Sequence, residues 1–295
     1  MKRVRAWALA ARPKTLPAAA APVLVGTAIA WQARGFAPGP AAAALVGALL
    51  LQVGSNFAND VYDYEKGADT DARLGPLRVT QAGLLTADDV KRGMRVVFGL
   101  ALLVGVYLTL VAGWPVVAIG LASIVAAIAY TGGPLPFGYH GLGDLFVLLF
   151  FGFVAVCGTA FVQMGEVPRA AWPAGLMEGC LATAILVVNN VRDHETDRLA
   201  GKRTIPAVLG RAVGVAEYGV LLVGAYVVAW WMVWAHQVSA WSLLVFLTFP
   251  IAIVLIVHLR KYRGPVLNQT LARTAKLLFV FSVLFSVGVV AGGYR

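Results

Sequence analysis

Apolar runs close to 20 residues long recur along the whole chain, and they constrain its fold more than any single residue does. Wound as an α-helix at about 1.5 Å per residue, such a run matches the hydrocarbon thickness of a bilayer. Backbone polar groups find no water there, so only helices or closed barrels can span, and the alternating pattern of barrel strands is missing. Composition agrees. Of 295 residues, 60% are hydrophobic and 13% charged, with a mean hydropathy of +0.79, whereas soluble domains carry about 25% charged residues. The pattern predicts an all-α integral membrane protein, a single transmembrane domain over residues 1–295.

Nine spanning segments can be drawn: Leu16 to Trp31, Ala41 to Phe57, Met94 to Ala112, Trp114 to Tyr130, Asp144 to Gln163, Trp172 to Asn189, Ala212 to Trp234, Trp241 to His258 and Leu277 to Ala291. The first and last are short. Gly113 marks a tight hairpin between the third and fourth. The N-terminus has the basic head and alanine-rich body of a signal peptide, but Arg12, Pro13 and Lys14 interrupt it, which predicts a retained first helix. The net charge of +10 comes from cations that flank apolar segments, so it points to membrane topology and not to nucleic acid. With a cytoplasmic N-terminus, 21 of the 24 basic residues fall on the inner side and only Arg34, Arg169 and Arg295 outside. The expected protein is multi-pass in the cell (inner) membrane, with its C-terminus outside. Cys157 and Cys180 lie inside apolar runs without metal-ligand spacing and read as small core residues.

The acidic residues are not spread evenly. From Asn56 the chain reads NFANDVYDYEKGADTDARLGPLRVTQAGLL, which places Asp60, Asp63, Glu65, Asp69 and Asp71 in one stretch of a chain with fourteen acids. A second stretch from Asn189, NNVRDHETDRLAGKRT, repeats the pattern N, D or N, V, any, D, any, E. The two motifs, 56–71 and 189–204, lie 130 residues apart at the inner ends of even-numbered helices, which predicts two pseudo-repeated bundles around a shared, lipid-accessible cavity. Helical spacing puts Asn59 with Asp63, Asp60 with Asp63, and Asp193 with Asp197 on common faces. Oxygen ligands without a histidine cluster suit magnesium, which commonly shares its shell with substrate phosphates. Lys66, Arg73, Arg78, Arg192, Lys202 and Arg203 are interleaved, and metal with Lys/Arg makes a diphosphate clamp. Asn56, Asn59, Asn189 and Asn190 precede the acids inside apolar helices, where an amide needs a partner.

These motifs carry a family resemblance. RPKTLP from Arg12, NDVYDYEKGADTD from Asn59, LGPLRVTQAGLL from Leu74, YTGGPLPFGYHGLGDLFVLLFFG from Tyr130 and the stretch from Asn189 together resemble the UbiA superfamily of membrane prenyltransferases, and within it the menaquinone branch. The resemblance covers nearly the whole chain. It implies transfer of a polyprenyl group from a polyprenyl diphosphate to 1,4-dihydroxy-2-naphthoate, with decarboxylation and pyrophosphate release. It also implies magnesium, two ions, held by Asn59, Asp60, Asp63, Asp69, Asn190, Asp193 and Asp197. Gly67 and Gly201 stand where the broad pattern has aspartate, so Asp69 ranks last among these ligands. Asp63, Asp193, Asp197, Lys202 and Arg203 would carry the chemistry by stabilising the departing pyrophosphate. Lys66, Arg78, Gln81, Tyr62, Tyr130 and Tyr139 would contact substrates, the aromatic rings shielding an allylic cation, as Phe137 could. Arg78 suits a carboxylated acceptor, and the Gly- and Pro-rich loop from Tyr130 reads as a cap over the cavity.

Single residues say less. Asp144 reads as a helix cap, His194 as surface-oriented, and Glu178 as an intramembrane acid lacking an evident partner. Acceptors such as 4-hydroxybenzoate or homogentisate remain open, because spacing does not separate them. A transporter with an inner-face acidic site is the more distant alternative; its charges would more typically lie near the midplane on interrupted helices.

Overall fold

The computed structural model describes residues 2–67 and 74–294, and every regular element among them is helical. The elements are α1 (Lys2–Ala11), α2 (Leu16–Gln32), α3 (Pro38–Glu65), α4 (Ala87–Ala112), α5 (Pro115–Ala129), α6 (Gly143–Val147), α7 (Ala155–Met164), α8 (Ala171–Leu199), α9 (Ile205–Leu209), α10 (Arg211–Trp234), α11 (Phe249–Lys261) and α12 (Leu267–Ala291). A π-helical stretch, Leu148–Val154, joins α6 to α7, and a 3-10 stretch, Ala240–Thr248, leads into α11. Among the described residues eight helical stretches are long and apolar enough to cross a membrane. A ninth, α5, is apolar but has 15 residues.

Local chemistry sets the boundaries. Pro38 and Pro115 open α3 and α5, where a missing N–H costs nothing. Thr86 caps α4 by accepting a hydrogen bond from the Asp89 N–H, and Asp88 and Asp89 sit in its first turn, favourably placed against the helix dipole. Gly113 ends α4 with φ of 86°, a conformation that glycine adopts freely. Arg12 takes a left-handed conformation between α1 and α2, so α1 lies as a separate segment against α3.

Three helices run beyond their apolar stretches. α3 has 28 residues and α8 has 29, so each is about 42 Å long against a hydrocarbon core of about 30 Å. Their acidic ends therefore continue the helix past the apolar region. The last helix begins at Leu267, not near Leu277 as its hydropathy suggests. Polar groups there are paired within the bundle: the Tyr218 hydroxyl with Thr274 and His258 Nδ1 with Thr270, each at 2.7 Å.

Two apolar cores flank the site. The smaller joins Ala6 and Ala10 of α1, Phe57 and Val61 of α3, and Val90, Met94 and Phe98 of α4. The larger joins α2, α7, α8, α10, α11 and α12 around Met177, Leu181, Tyr218, Tyr226, Phe281 and Phe285. In lipid, helices associate through close packing and not through exclusion of water. The π-helical stretch shows this: a Cβ on Gly152 would lie 2.4 Å from the Gly175 carbonyl oxygen, so glycine alone permits the approach to α8. A cavity of about 730 Å³ lies between the two cores, lined by α2, α3, α4, α5, α7 and α8.

Candidate active site

The cavity wall is mostly apolar, with its polar residues gathered where α3 and α8 end. Asn59, Asp63, Arg78, Thr131, Tyr130, Tyr139, Asn189, Asn190, Asp193, Asp197 and Lys202 all line it. The two motifs, 130 residues apart in sequence, thus face one space. Lys202 is the clearest link: its Nζ lies 3.8 Å from Asp63 Oδ1 on α3 and 3.9 Å from Asp197 Oδ1 on α8.

Asp63 is almost fully buried and well supplied with donors. Arg78 Nη2 donates to its Oδ2 at 2.8 Å, and the Tyr139 hydroxyl donates to its Oδ1 at 3.0 Å. Tyr139 also serves the cations, with Lys202 Nζ 4.6 Å and Lys66 Nζ 5.1 Å from its ring centroid, both within cation–π range. Lys66 does not line the cavity and donates to the Gly133 carbonyl at 3.3 Å. Burial, outweighing the pull of Asp63, holds its ammonium pKa below the usual lysine value, and Lys202 nearby lowers it further.

Asp60 has a different position. Its carboxylate accepts from the Val79 N–H at 3.1 Å, the Thr80 N–H at 3.0 Å and the Thr80 hydroxyl at 2.6 Å, and it does not line the cavity. Placed among the metal ligands by sequence, it instead braces the segment that brings Arg78 to Asp63. Its direction follows from helix geometry: at 3.6 residues per turn Asp60 points about 60° away from Asp63. Asp69 lies outside the described residues, as do Asp71 and Arg73.

The second motif is braced from within. Arg192, buried on α8, donates through Nε at 2.7 Å to Asp193 Oδ1 and through Nη2 to Asp193 Oδ2. Nη2 also reaches Asn189 Oδ1 at 2.6 Å, and Nη1 reaches Asn268 Oδ1 of α12 at 2.5 Å. Asn268 in turn donates to the Leu74 carbonyl at 2.9 Å, tying α12 to the segment after the first motif. Sequence spacing marked Arg192 as a phosphate-facing cation; the fold commits it to holding the acids in place. Asn268 gave no sequence signal, because its partner lies 76 residues away.

The loop from Tyr130 lies over the polar end of the cavity, as expected of a cap. Thr131 donates to Asn59 Oδ1 at 3.0 Å, and the Tyr139 carbonyl accepts from the Arg203 N–H at 2.9 Å. At Gly141, with φ of 76°, a Cβ would sit 2.7 Å from the Arg203 carbonyl oxygen, so the loop touches the second motif through glycine. Tyr62, Gln81 and Arg203 do not line the cavity; the Tyr62 ring packs beneath the loop at Gly132, and the Arg203 backbone, as just described, fastens it. Phe137 stacks on Phe146 at 4.1 Å, and it is Phe146 that reaches the cavity.

The remaining residues take ordinary partners. The Asn56 amide donates at 3.0 Å to both the Ala11 carbonyl and Thr15 Oγ1. His194 pairs with the Val191 carbonyl of its own helix. Glu178 accepts from Ser282 at 2.8 Å deep in the larger core, the partner its sequence left unassigned. Asp144 makes no cap; its carboxylate instead accepts from the Asn190 amide. Both cysteines are buried and free. Among the described residues no three His, Cys, Asp or Glu side chains form a ready metal cluster. The cavity-facing oxygen donors, Asp63, Asp193, Asp197, Asn59 and Asn190, are nonetheless of the kind a hard divalent cation takes.

Comparison with known proteins gives the family and the fold. The model of the UbiA prenyltransferase family matches residues 19–290. The 1,4-dihydroxy-2-naphthoate octaprenyltransferase of Escherichia coli (strain K12) is 38% identical over 297 residues, covering 98% of this chain and 96% of that protein. The enzyme of the same name from Mycobacterium tuberculosis (strain ATCC 25618 / H37Rv) is 36% identical, covering 90% and 91%. Among solved structures, the apo structure of a UbiA homolog from Aeropyrum pernix K1 superposes with a TM-score of 0.72 at 15% identity, over 95% of this chain and 98% of that one. A UbiA homolog from Archaeoglobus fulgidus bound to DMAPP and Mg2+ superposes with a TM-score of 0.62 at 15% identity, over 95% and 99%.

Proposed function

The chain belongs to the UbiA prenyltransferase family, and from that premise we propose that it transfers a polyprenyl group from a polyprenyl diphosphate to 1,4-dihydroxy-2-naphthoate. The ring carboxyl leaves as carbon dioxide, pyrophosphate is released, and demethylmenaquinol is formed. The observation that carries the reading is Lys202 held between Asp63 and Asp197, at the polar end of an otherwise apolar cavity. A molecule with a diphosphate head and a hydrocarbon tail matches both parts. The naphthoate acceptor is supported by the names of the relatives that align over nearly the whole chain.

Asp63, Asp193, Asp197, Asn59 and Asn190 would hold magnesium, two ions as the family resemblance implies, with Asp69 a further candidate. The metal when bound would neutralise charge that develops on the departing pyrophosphate. Lys202 and Lys66 stand where they can take the same oxygens by charge-assisted hydrogen bonds. Arg78, paired with Asp63, presents a guanidinium at the cavity wall for the acceptor carboxylate. Tyr139, Tyr130 and Phe146 place π faces along the path of the allylic cation. The apolar wall of α4, α5, α7 and α8 receives the tail and excludes water that would otherwise capture the cation. By the distribution of basic residues, this end of the bundle and the N-terminus face the cytoplasm, and the C-terminus lies outside.

The test is product identification by mass spectrometry after incubating the detergent-solubilised chain with magnesium, a polyprenyl diphosphate and a panel of acceptors. A decarboxylated prenyl naphthol is expected from 1,4-dihydroxy-2-naphthoate. Product from 4-hydroxybenzoate or homogentisate alone would overturn the acceptor assignment.

A further inference from the structure

Asp144 lies outside both acidic motifs and does not line the cavity, yet it touches a residue that does. It is the second residue of α6 and is buried. Asn190 Nδ2 donates to its Oδ1 at 3.5 Å, and the Thr183 hydroxyl donates to its backbone carbonyl at 3.4 Å, which holds the start of α6 against α8. That bond turns the NH2 side of the Asn190 amide toward Asp144. The carbonyl oxygen then projects from the opposite side of the amide. Asn190 is 5% exposed and lines the cavity, and among the described residues no protein donor reaches its Oδ1.

The pseudo-repeat sharpens this. Asn190 aligns with Asp60, whose two oxygens are both taken by the segment around Val79 and Thr80. In the second motif the same position meets a carboxylate instead of backbone N–H groups, so a carboxylate in place of Asn190 would face a like charge, whereas an amide makes a bond and leaves an oxygen over. We infer that Asp144 is a positioning residue that orients the Asn190 amide so that its carbonyl oxygen is presented to the cation bound with the diphosphate. Groups of this kind behind a metal ligand set its orientation, and losing one typically lowers metal affinity or activity by about 10- to 100-fold.

The inference rests on the metal reading proposed above, and the test separates the two. Mn2+ binding to the full chain in detergent, in the presence of pyrophosphate, is followed by electron paramagnetic resonance for wild type, Asp144→Ala, Asn190→Ala, the double Ala variant and the exchange variant Asp144→Asn/Asn190→Asp. Expected are a loss of affinity of about tenfold or more in each single Ala variant, no further loss in the double Ala variant, and recovery in the exchange variant, where the amide introduced on α6 would donate to the carboxylate introduced on α8. Affinity unchanged in Asp144→Ala, or a full additional loss when Asn190 is already replaced by alanine, would overturn the positioning role. Absence of Mn2+ binding by wild type would instead overturn the metal reading itself. A thermal melt of each variant identifies any that fail to fold, and if Asp144→Ala fails, Asp144→Asn in the Asn190→Ala background gives the additivity result.

Discussion

The two acidic helix ends share a sequence pattern but are held in different ways. At the end of α3, Asp60 is spent on the backbone of the following segment, and Asp63 is steadied by groups from elsewhere in the chain, Arg78 and Tyr139. At the end of α8, bracing comes from within the motif, through Arg192 on Asp193 and Asn189. Burial differs as well: 72% of the apolar window of α8 is buried within the bundle, against 28% for α3. The α8 motif therefore rests on a packed helix that needs few outside contacts, whereas the α3 motif, on a helix that the bundle encloses less and that lines the cavity, is completed by loops.

Substitutions can break this contrast. Asp63→Ala removes the acceptor shared by Arg78, Tyr139 and Lys202, and prenyl transfer should fall by about 1000-fold, as for loss of a principal charge-stabilising group. Asp193→Ala should match it. Activity above a tenth of wild type in either would show that the two helix ends are not partners in one site.

Asp60→Ala should separate stability from chemistry. It leaves three buried donors, the Val79 and Thr80 N–H groups and the Thr80 hydroxyl, without their acceptor, a loss of about 3 kcal/mol or more. A marked drop in the thermal midpoint in detergent is expected. A midpoint equal to wild type together with abolished activity would return Asp60 to the ligand set.

Arg192→Lys tests the internal brace. A lysine cannot reproduce the fork to Asp193, Asn189 and Asn268, so the variant should lose about 10- to 100-fold in activity with a rise in the magnesium needed. Unchanged magnesium dependence would mean that Asp193 does not need Arg192 to hold its place.

The smallest effect concerns pH. Because burial lowers the pKa of Lys66, its positive charge is present at low pH and is lost, as pH rises, before that of an ordinary lysine. The KM for polyprenyl diphosphate should therefore climb severalfold in the alkaline range, and Lys66→Arg should flatten the rise, since a guanidinium stays charged. A rise that persists in Lys66→Arg would assign it to another group.

Much of this was legible in the residues. Hydropathy alone marked the eight spanning helices among the described residues and the shorter apolar α5, because a helix in lipid must satisfy its own backbone and be apolar over a membrane thickness. It misjudged where α12 begins, because Asn268, Arg273 and Lys276 lower the hydropathy of a helix whose Thr270 and Thr274 are bonded within the bundle. The site was read as two acid-rich helix faces, and Asp63, Asp193, Asp197, Asn59 and Asn190 do meet at one cavity. Arg192, Asn268 and Asp144 were not legible in their structural roles, since their partners are set by how α6, α8 and α12 pack.

The chain's sequence by itself determined a helical membrane bundle with two related, oxygen-rich helix ends, because length, apolarity and helical spacing are local properties. Only the tertiary structure decided which of those oxygens face the cavity. A rotation of about 60° around α3 separates Asp60 from Asp63, and whether that turn points to a ligand or to a loop depends on what packs beside the helix. The segment around Val79 and Thr80 takes Asp60, the cavity takes Asp63, and Asp144 takes the amide of Asn190.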